Sequence, residues 1–350
     1  MEKVRLGIIG CGDIAHKKFL PAIKELEKCQ LVKVCDINEE VAKRTAGNTV
    51  SWCTDYKELL KQSDIDAVII TTPHPFHAEV IIAAAKAHKH ILVEKPMAIS
   101  QKEIDAIVQI VSKNKIKFLP LPFFISPAYS LAKELLNAGY IGEITGAEAS
   151  TVGSELLPSS WYLSRFAGGG AILDLGVYSI STVIGLLGPA ANVSAMLSRG
   201  MSEVIMSKGK KVPLEQEDNG RIILKWENRS LASIFCGWMQ GWSKNMITIT
   251  GREGALILNG WQNDSLYIYS QKALSVDYDN VEILGYKMYR PILPIGKHYG
   301  IPPLEYFIDA ILNDKNLTLY AQIQRHVIEI VLKAYESARK KQVVNLITGF

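Results

Sequence analysis

Near its start the chain reads Val4-Arg-Leu-Gly-Ile-Ile-Gly10-Cys-Gly12-Asp-Ile-Ala15, and this stretch decides the fold. The apolar residues up to Ile9 predict a buried strand, and those that recur after Ala15 predict a helix. A glycine turn between them is typical of a dinucleotide-binding unit. Gly10 permits the tight turn, Gly12 lets backbone N–H groups approach a pyrophosphate, and Ala15 allows the helix to pack closely on the strand.

Strand and helix signals then alternate as far as residue 119 and give six predicted strands. This alternation indicates a doubly wound parallel sheet. Two polar segments, Thr71-Thr-Pro-His74 and Glu94-Lys-Pro96, directly follow apolar strands of this sheet. Ligands bind at the carboxyl ends of parallel strands, so we expect both segments beside the nicotinamide half of a cofactor. Lys95 is the candidate for chemistry there, and the alternative is a surface lysine in an ordinary loop.

A carboxylate follows the second predicted strand, Leu31 to Cys35, at Asp36. An acid at this point would accept hydrogen bonds from the adenosine ribose and would repel the extra phosphate of NADP. No Lys or Arg follows within residues 37–40, so we expect NAD, with NADP as the alternative cofactor. The competing interpretation is that Asp36 caps the helix that begins near Asn38.

The predicted cofactor contacts come from the glycine turn and from three strand ends. His74 and His77 either face the ligand or only begin a helix. The full set is Gly10, Gly12, Asp13, Ile14, Ala15, Asp36, Thr71, Thr72, Pro73, His74, His77, Glu94, Lys95 and Pro96.

The character of the chain changes near Pro122, and we predict domains at residues 1–122 and 123–350. In the second domain strand signals follow one another with short turns, which predicts a largely antiparallel sheet. The predicted strands are residues 144–152, 193–198, 221–226, 231–237, 246–250, 255–258 and 265–269, and helices at 303–312 and 321–340 close the chain.

One helix of the second domain is apolar almost all round and yet carries a polar stripe. It reads Gly168-Gly-Gly-Ala-Ile-Leu-Asp174-Leu-Gly176-Val-Tyr178-Ser-Ile-Ser-Thr182. Asp174, Tyr178 and Ser181 or Thr182 recur at helical spacing, and a buried carboxylate needs partners or a ligand. The alternative is a structural aspartate of the core. Gly176 costs about 1 kcal/mol relative to Ala inside a helix, which indicates a close neighbour on that face.

Composition excludes several classes of protein. The net charge is only +4 and the basic residues are dispersed, so we expect no nucleic-acid partner. The chain starts without the apolar core of a signal peptide and has no run long enough to cross a bilayer, which predicts a soluble, cytoplasmic protein without membrane contact. Its five cysteines show no C-x-x-C pair, so we expect reduced thiols and no metal site.

Taken together and in this order, the motifs resemble those of the Gfo/Idh/MocA family (glucose-fructose oxidoreductase, inositol dehydrogenase and MocA). The resemblance covers nearly the whole chain and includes Ile249-Thr-Gly-x-x-Gly-Ala255. It implies a Rossmann domain followed by an open-faced sheet domain, a site between them, and a sugar or polyol substrate. It also implies a homodimer or homotetramer formed through the sheet, and an active-site role for Lys95 with Asp174 and residue 178 beside it.

Three positions depart from the usual family pattern. Tyr178 stands where many members have His and is similar to the pattern of glucose-fructose oxidoreductase, dihydrodiol (xylose) dehydrogenase and some nucleotide-sugar ketoreductases, which commonly use NADP. Phe124 replaces a frequent Arg, and His74 replaces a frequent Asn.

The expected activity is reversible hydride transfer between a nicotinamide and a carbon that bears a hydroxyl or carbonyl group. A general acid/base must then handle the hydroxyl proton, and the candidates are Tyr178 and Lys95. We assign proton transfer to Tyr178, the substrate oxygen to Lys95 and orientation of both to Asp174. Two alternatives remain at this stage. One is a glycosidase that uses a tightly held NAD, and the other is a nicotinamide-binding regulator without turnover.

Overall fold

The structure is a computed structural model, and it describes residues 3–122, 126–153, 169–206, 209–238, 241, 243–260, 265–270, 272, 278–283, 286–291 and 301–350. Strands 278–283 and 286–291 are described by their backbone alone. The predicted departure at Phe124 and the first residue of the predicted helix segment, Gly168, lie outside the described residues. The chain divides into two compact units, Met1–Phe123 with Lys297–Ile328, and Phe124–Gly296 with Glu329–Phe350.

The helices of both units follow the apolar periodicity of the sequence. A short π-helical turn precedes α1 at Ala15–Phe19, and another precedes α7 at Ile172–Gly176. The helices are α1 (Leu20–Glu25), α2 (Glu39–Ala46), α3 (Tyr56–Leu60), α4 (His74–Lys86), α5 (Gln101–Asn114), α6 (Pro127–Asn137), α7 (Val177–Leu187), α8 (Ile301–Leu312) and α9 (Thr318–Lys340).

The first unit contains a parallel sheet of six strands in the order β3-β2-β1-β4-β5-β6. Its strands are β1 (Val4–Ile9), β2 (Cys29–Cys35), β3 (Ser51–Cys53), β4 (Ala67–Ile70), β5 (His90–Val93) and β6 (Phe118–Pro120). The predicted doubly wound sheet is confirmed. The central strands β4 and β5 are short apolar runs buried on both faces, as expected for strands covered by helices on either side.

The first unit also includes residues 297–328, whereas the predicted division placed everything after residue 122 in the second domain. The physical reason is the apolar face of α8. Leu304, Phe307 and Ile308 share one core with Leu6 and Phe19 of the N-terminal segment. Detaching α8 would expose this face to water, so the segment belongs with the first unit.

The second unit contains a ten-stranded sheet in the order β16-β17-β15-β14-β13-β7-β12-β11-β8-β18. A separate two-stranded sheet is formed by β9 (Glu203–Ile205) and β10 (Lys211–Pro213). The strands of the large sheet are β7 (Ile144–Val152), β8 (Asn192–Ser198), β11 (Asn219–Lys225), β12 (Leu231–Gly237), β13 (Lys244–Gly251), β14 (Gly254–Asn259), β15 (Ser265–Ser270), β16 (Tyr278–Ile283), β17 (Tyr286–Pro291) and β18 (Val344–Asn345).

The large sheet is antiparallel in most of its pairs, as predicted, but β12 pairs with β7 in parallel. Parallel strands need a long crossover connection between them. The chain between β7 and β12 supplies one, because it includes α7, β8 and β11. Within the described ranges, none of the helices is long and apolar enough to cross a membrane.

Candidate active site

The glycine turn after β1 is tightly packed at Gly10. Gly10 has a φ of +95°, and its N–H donates to the Cys35 carbonyl at 2.8 Å. A Cβ atom at this position would lie 2.7 Å from the Thr72 nitrogen and 2.8 Å from the Thr71 carbonyl carbon. A left-handed backbone and the absence of a side chain are therefore both required at residue 10.

The following residues of the turn face outward. A Cβ atom at Gly12 would meet nothing within 4 Å, so the backbone here is open to an incoming group. Asp13 and Ile14 are exposed, and Asp13 forms an exposed ion pair with Lys17. Ala15 is fully buried where the helix packs on the sheet. Open backbone at the start of a helix is what a pyrophosphate requires.

Asp36 at the end of β2 holds the glycine turn from the other side. One carboxylate oxygen accepts the Cys11 N–H at 2.8 Å, and the other accepts the Asn38 N–H at 2.9 Å. The helix cap is Asn38 itself, because its side chain accepts from Glu40 and Val41. The carboxylate keeps further lone pairs for ribose hydroxyls, and among the residues that the structure describes no Lys or Arg forms an ion pair with Asp36.

The end of β4 brings a polar atom without a partner to the same edge of the sheet. Thr71 donates its hydroxyl to the Gly10 carbonyl at 2.5 Å, whereas the buried Thr72 Oγ1 has no hydrogen-bond partner in the described part of the chain. Pro73 and the buried His74 then begin α4. A buried hydroxyl without a partner is costly unless a ligand supplies one. The closed turn at Gly10, the open backbone at Gly12 and this hydroxyl fit a bound dinucleotide.

His77 links two strand ends and has no ring nitrogen left for a ligand. Nε2 lies 2.7 Å from the Thr72 carbonyl oxygen, and Nδ1 lies 2.7 Å from the Pro96 carbonyl oxygen. The ring is fully buried, and burial lowers the pKa of His77. These contacts favour the structural interpretation of His77, because the buried neutral ring can donate its one N–H to either of the two carbonyls.

The segment Glu94-Lys-Pro96 follows β5 and lies beside the β4 end, because Val93 pairs with Ile70 and the Glu94 N–H donates to the Ile70 carbonyl at 3.0 Å. Glu94 is buried and forms an ion pair with Lys18, with 2.8 Å between Nζ and Oε1. Burial raises the pKa of the Glu94 carboxyl, but Lys18 and Lys95 outweigh it and hold that pKa below its usual value. Lys95 itself is half-buried.

The residues of the predicted polar stripe lie in the second unit, on the π-helical turn and on α7. Asp174 is buried in the π-helical turn before α7, and the indole N–H of Trp238 donates to its Oδ2 at 3.0 Å. Tyr178 is half-buried on the first turn of α7, and the Thr182 hydroxyl donates to its carbonyl at 3.0 Å. Lys95 belongs to the first unit and these two side chains to the second.

Glycines fix the backbone around Asp174. Gly170 has a φ of +112°, and a Cβ atom there would overlap the Glu217 carboxylate. Glu217 accepts the Ile172 N–H at 3.1 Å and the Tyr335 hydroxyl at 2.7 Å, and burial raises the pKa of Glu217. At Gly176 a Cβ atom would lie 3.0 Å from the Cys236 sulfur, so the predicted close neighbour is confirmed.

Four residues of these surroundings were not predicted from the sequence: Lys18, Glu217, Trp238 and Tyr335. The sequence contains a weak indication for one of them: Lys18 is a charged residue directly before the apolar run that starts at Phe19. All five cysteines are buried free thiols, and burial raises the pKa of Cys236 to about 12. Within the described residues no group of His, Cys, Asp or Glu could hold a metal ion.

Comparison with known proteins gives two family matches. The description "Oxidoreductase family, NAD-binding Rossmann fold" of the Gfo/Idh/MocA proteins matches residues 4–120, and "GFO/IDH/MocA C-terminal domain" matches residues 129–257. Together these ranges cover more than half of the chain. The predicted family, fold class and type of cofactor are confirmed.

Individual relatives act on sugars. Levoglucosan dehydrogenase of Pseudarthrobacter phenanthrenivorans is 29% identical over 236 residues, which is 61% of this chain and 60% of that protein. The dTDP-3,4-didehydro-2,6-dideoxy-alpha-D-glucose 3-reductase of Saccharopolyspora spinosa is 26% identical over 262 residues, 74% of this chain and 75% of the reductase.

A solved structure of levoglucosan dehydrogenase in complex with NADH and L-sorbose has the same fold, with a TM-score of 0.84 and 24% identity over 99% of each chain. The order of the motifs, the sheet topology and these matches lead to one conclusion. The chain belongs to the Gfo/Idh/MocA family of oxidoreductases with a NAD-binding Rossmann fold.

Proposed function

We propose that this protein is an NAD(P)-dependent dehydrogenase or reductase that acts on CH–OH groups of a sugar or polyol. The observation that carries the proposal is the set of residues at the carboxyl ends of the strands in the first unit's sheet. There Gly10, Thr72 and Lys95 follow three adjacent strands, β1, β4 and β5. Asp36, which follows β2, favours NAD over NADP, because its carboxylate would repel a ribose phosphate.

The proposed division of labour uses one residue of the first unit and two of the second. The bound nicotinamide accepts or supplies the hydride. Lys95 holds the substrate oxygen with its ammonium group, and Tyr178 takes or returns the hydroxyl proton. Asp174 orients both and is itself held by the indole of Trp238.

The test is a screen that follows the absorbance of reduced cofactor over aldoses, inositols, ketosugars, levoglucosan and L-sorbose, with NAD and NADP side by side and in both directions. We expect turnover with at least one substrate and a preference for NAD of about tenfold or more, equivalent to about 1.4 kcal/mol. Hydrolysis of a chromogenic glycoside without net NADH formation, or cofactor binding without any turnover, would contradict the proposal.

We also propose a homodimer or homotetramer that forms through one face of the large sheet in a reducing, cytoplasmic compartment. Large apolar side chains are exposed on this face, among them Met196, Ile223 and Leu231. Met196 is the most exposed of the three, at 82%. Arg221 stacks on Phe235 of the same face, 3.6 Å from the ring centre. An apolar patch of this kind on a sheet is typical of a subunit interface. The buried free cysteines are consistent with a reducing compartment.

Light scattering checks the assembly. We expect the wild type at twice or four times the mass of one chain, and Met196→Lys to shift it toward the monomer, because a desolvated charge is costly at an apolar interface. Ile37→Lys is the matched control, since Ile37 is 91% exposed but lies in the first unit. A monomeric wild type would contradict the proposal.

A further inference from the structure

Lys18 is the residue of the first unit whose position the sequence did not explain. It lies in the π-helical turn that follows the glycine turn, and its side chain is only 14% exposed. Its ammonium group lies 2.8 Å from Glu94 Oε1, and the Glu94 side chain is 9% exposed. A half-buried lysine at this point joins the cofactor turn after β1 to the end of β5.

The second oxygen of Glu94 connects this ion pair to Lys95. Oε2 accepts the Lys95 backbone N–H at 3.1 Å. On the far side of Lys95, the Pro96 carbonyl lies 2.7 Å from His77 Nδ1. The backbone around Lys95 is therefore contacted on both sides, by the carboxylate of the Lys18–Glu94 pair and by the His77 ring. Precise placement of a catalytic group requires such support from its surroundings.

The charge of Lys18 favours the ionised form of the Glu94 carboxyl. Burial raises the pKa of Glu94, while Lys18 is the largest influence that lowers it, followed by Lys95. Without Lys18 the buried carboxyl would take up a proton at a higher pH. A protonated carboxyl is a weaker acceptor for the Lys95 N–H than a carboxylate.

We propose that Lys18 is a positioning residue for Lys95, which acts by fixing the Glu94 carboxylate against the Lys95 backbone. The inference rests on the proposed function of Lys95 and extends it to a residue outside the family motifs. Lys18 follows the turn that would receive the pyrophosphate, and Lys95 follows β5. The Lys18–Glu94 ion pair and the Lys95 N–H···Glu94 hydrogen bond connect these two segments.

The test compares three single variants in the same steady-state assay. Lys18→Met keeps the aliphatic stem and removes the charge, and Lys18→Arg restores the charge. Lys33→Met is the matched control, because buried Lys33 also pairs with a glutamate of the first unit, Glu58, at 3.3 Å. We expect Lys18→Met to lower kcat by about tenfold or more with NADH affinity within about threefold of wild type, and Lys18→Arg to recover most of the loss. Lys33→Met should leave kcat unchanged.

The pH profile separates positioning from a general loss of stability. In Lys18→Met the acid limb of kcat should move to higher pH, because Glu94 has lost the cation that keeps it ionised. The double variant Lys18→Met/Glu94→Gln has no carboxyl at position 94 to titrate, so the shift of the acid limb should disappear. It also serves as a second test if Lys18→Met folds poorly, because it no longer buries a carboxyl without its lysine.

Three results would each overturn the inference alone: unchanged kcat in Lys18→Met, no recovery in Lys18→Arg, or a shift of the acid limb that persists in the double variant. Absence of wild-type turnover across the substrate screen would overturn the proposed function and this inference with it.

Discussion

Replacing Lys95 with alanine should lower turnover by at least about a hundredfold and leave NAD affinity within about threefold of wild type. The side chain extends from the end of β5, between Glu94 and Pro96. The Glu94 carboxylate pairs with Lys18, and the Pro96 carbonyl lies against the buried His77. The cofactor turn at Gly10 lies on another strand and stays intact. Steady-state kinetics and fluorescence titration with NADH separate the two effects.

Lys89 offers the matched control for this variant. It is a buried lysine just before β5, and its Nζ donates to the carbonyls of Gln62 at 2.6 Å and Ile65 at 2.8 Å. Lys89→Ala should therefore reduce the free energy of unfolding and leave kcat near that of wild type. A fully active Lys95→Ala variant would rule out the assigned role of Lys95, and equal losses of kcat in both variants would point to a structural cause.

The second large effect is expected for Asp174→Asn, with turnover again reduced by about a hundredfold or more. The new amide is nearly isosteric and its oxygen can still accept from the Trp238 indole, which donates at 3.0 Å in the wild type. The free energy of unfolding should thus change by no more than about 1 kcal/mol. The substitution removes the negative charge and keeps the structural bond, so it distinguishes the two interpretations of Asp174.

Asp218 provides the control, because it is a buried aspartate of the same unit with a structural role. Its two oxygens accept the backbone N–H groups of Gly200 at 3.1 Å and Met201 at 2.7 Å. Asp218→Asn places an amide donor against one of these N–H groups and should cost about 1–3 kcal/mol of stability with little change in kcat. Wild-type turnover in Asp174→Asn would establish the structural interpretation of Asp174.

Local signals predicted most of the first unit, because β1, β4 and β5 are short, mainly apolar runs that end at Gly10, Thr71 and Glu94. The glycine turn, the Asp36 strand end and the neighbouring positions of Thr72 and Glu94 follow from that pattern and the parallel topology. The second unit was less predictable. Nothing in the local sequence of β7 and β12 indicates that they pair in parallel, since that pairing depends on where the intervening strands lie.

The partners of the predicted residues could not be predicted, for a similar physical reason. Glu94 meets Lys18 across 76 positions, and Asp174 meets Trp238 across 64. Such pairs leave no periodicity in either segment. The sequence could indicate that a buried carboxylate needs a partner, and the neighbour of Gly176 was expected for a comparable reason, but the identities of Lys18, Trp238 and Cys236 depend on the tertiary fold.

The placement of α8 has a consequence for how the protein is made. The core of the first unit needs Ile301, Leu304 and Phe307, which pack with Leu6 and Phe19. When β6 leaves the ribosome, the six-stranded sheet has all of its strands but lacks one apolar cover. The entire segment Phe124–Gly296 must be synthesised before that cover arrives. The cofactor-binding unit is therefore first in sequence, yet its core is completed only after most of its neighbour has been translated.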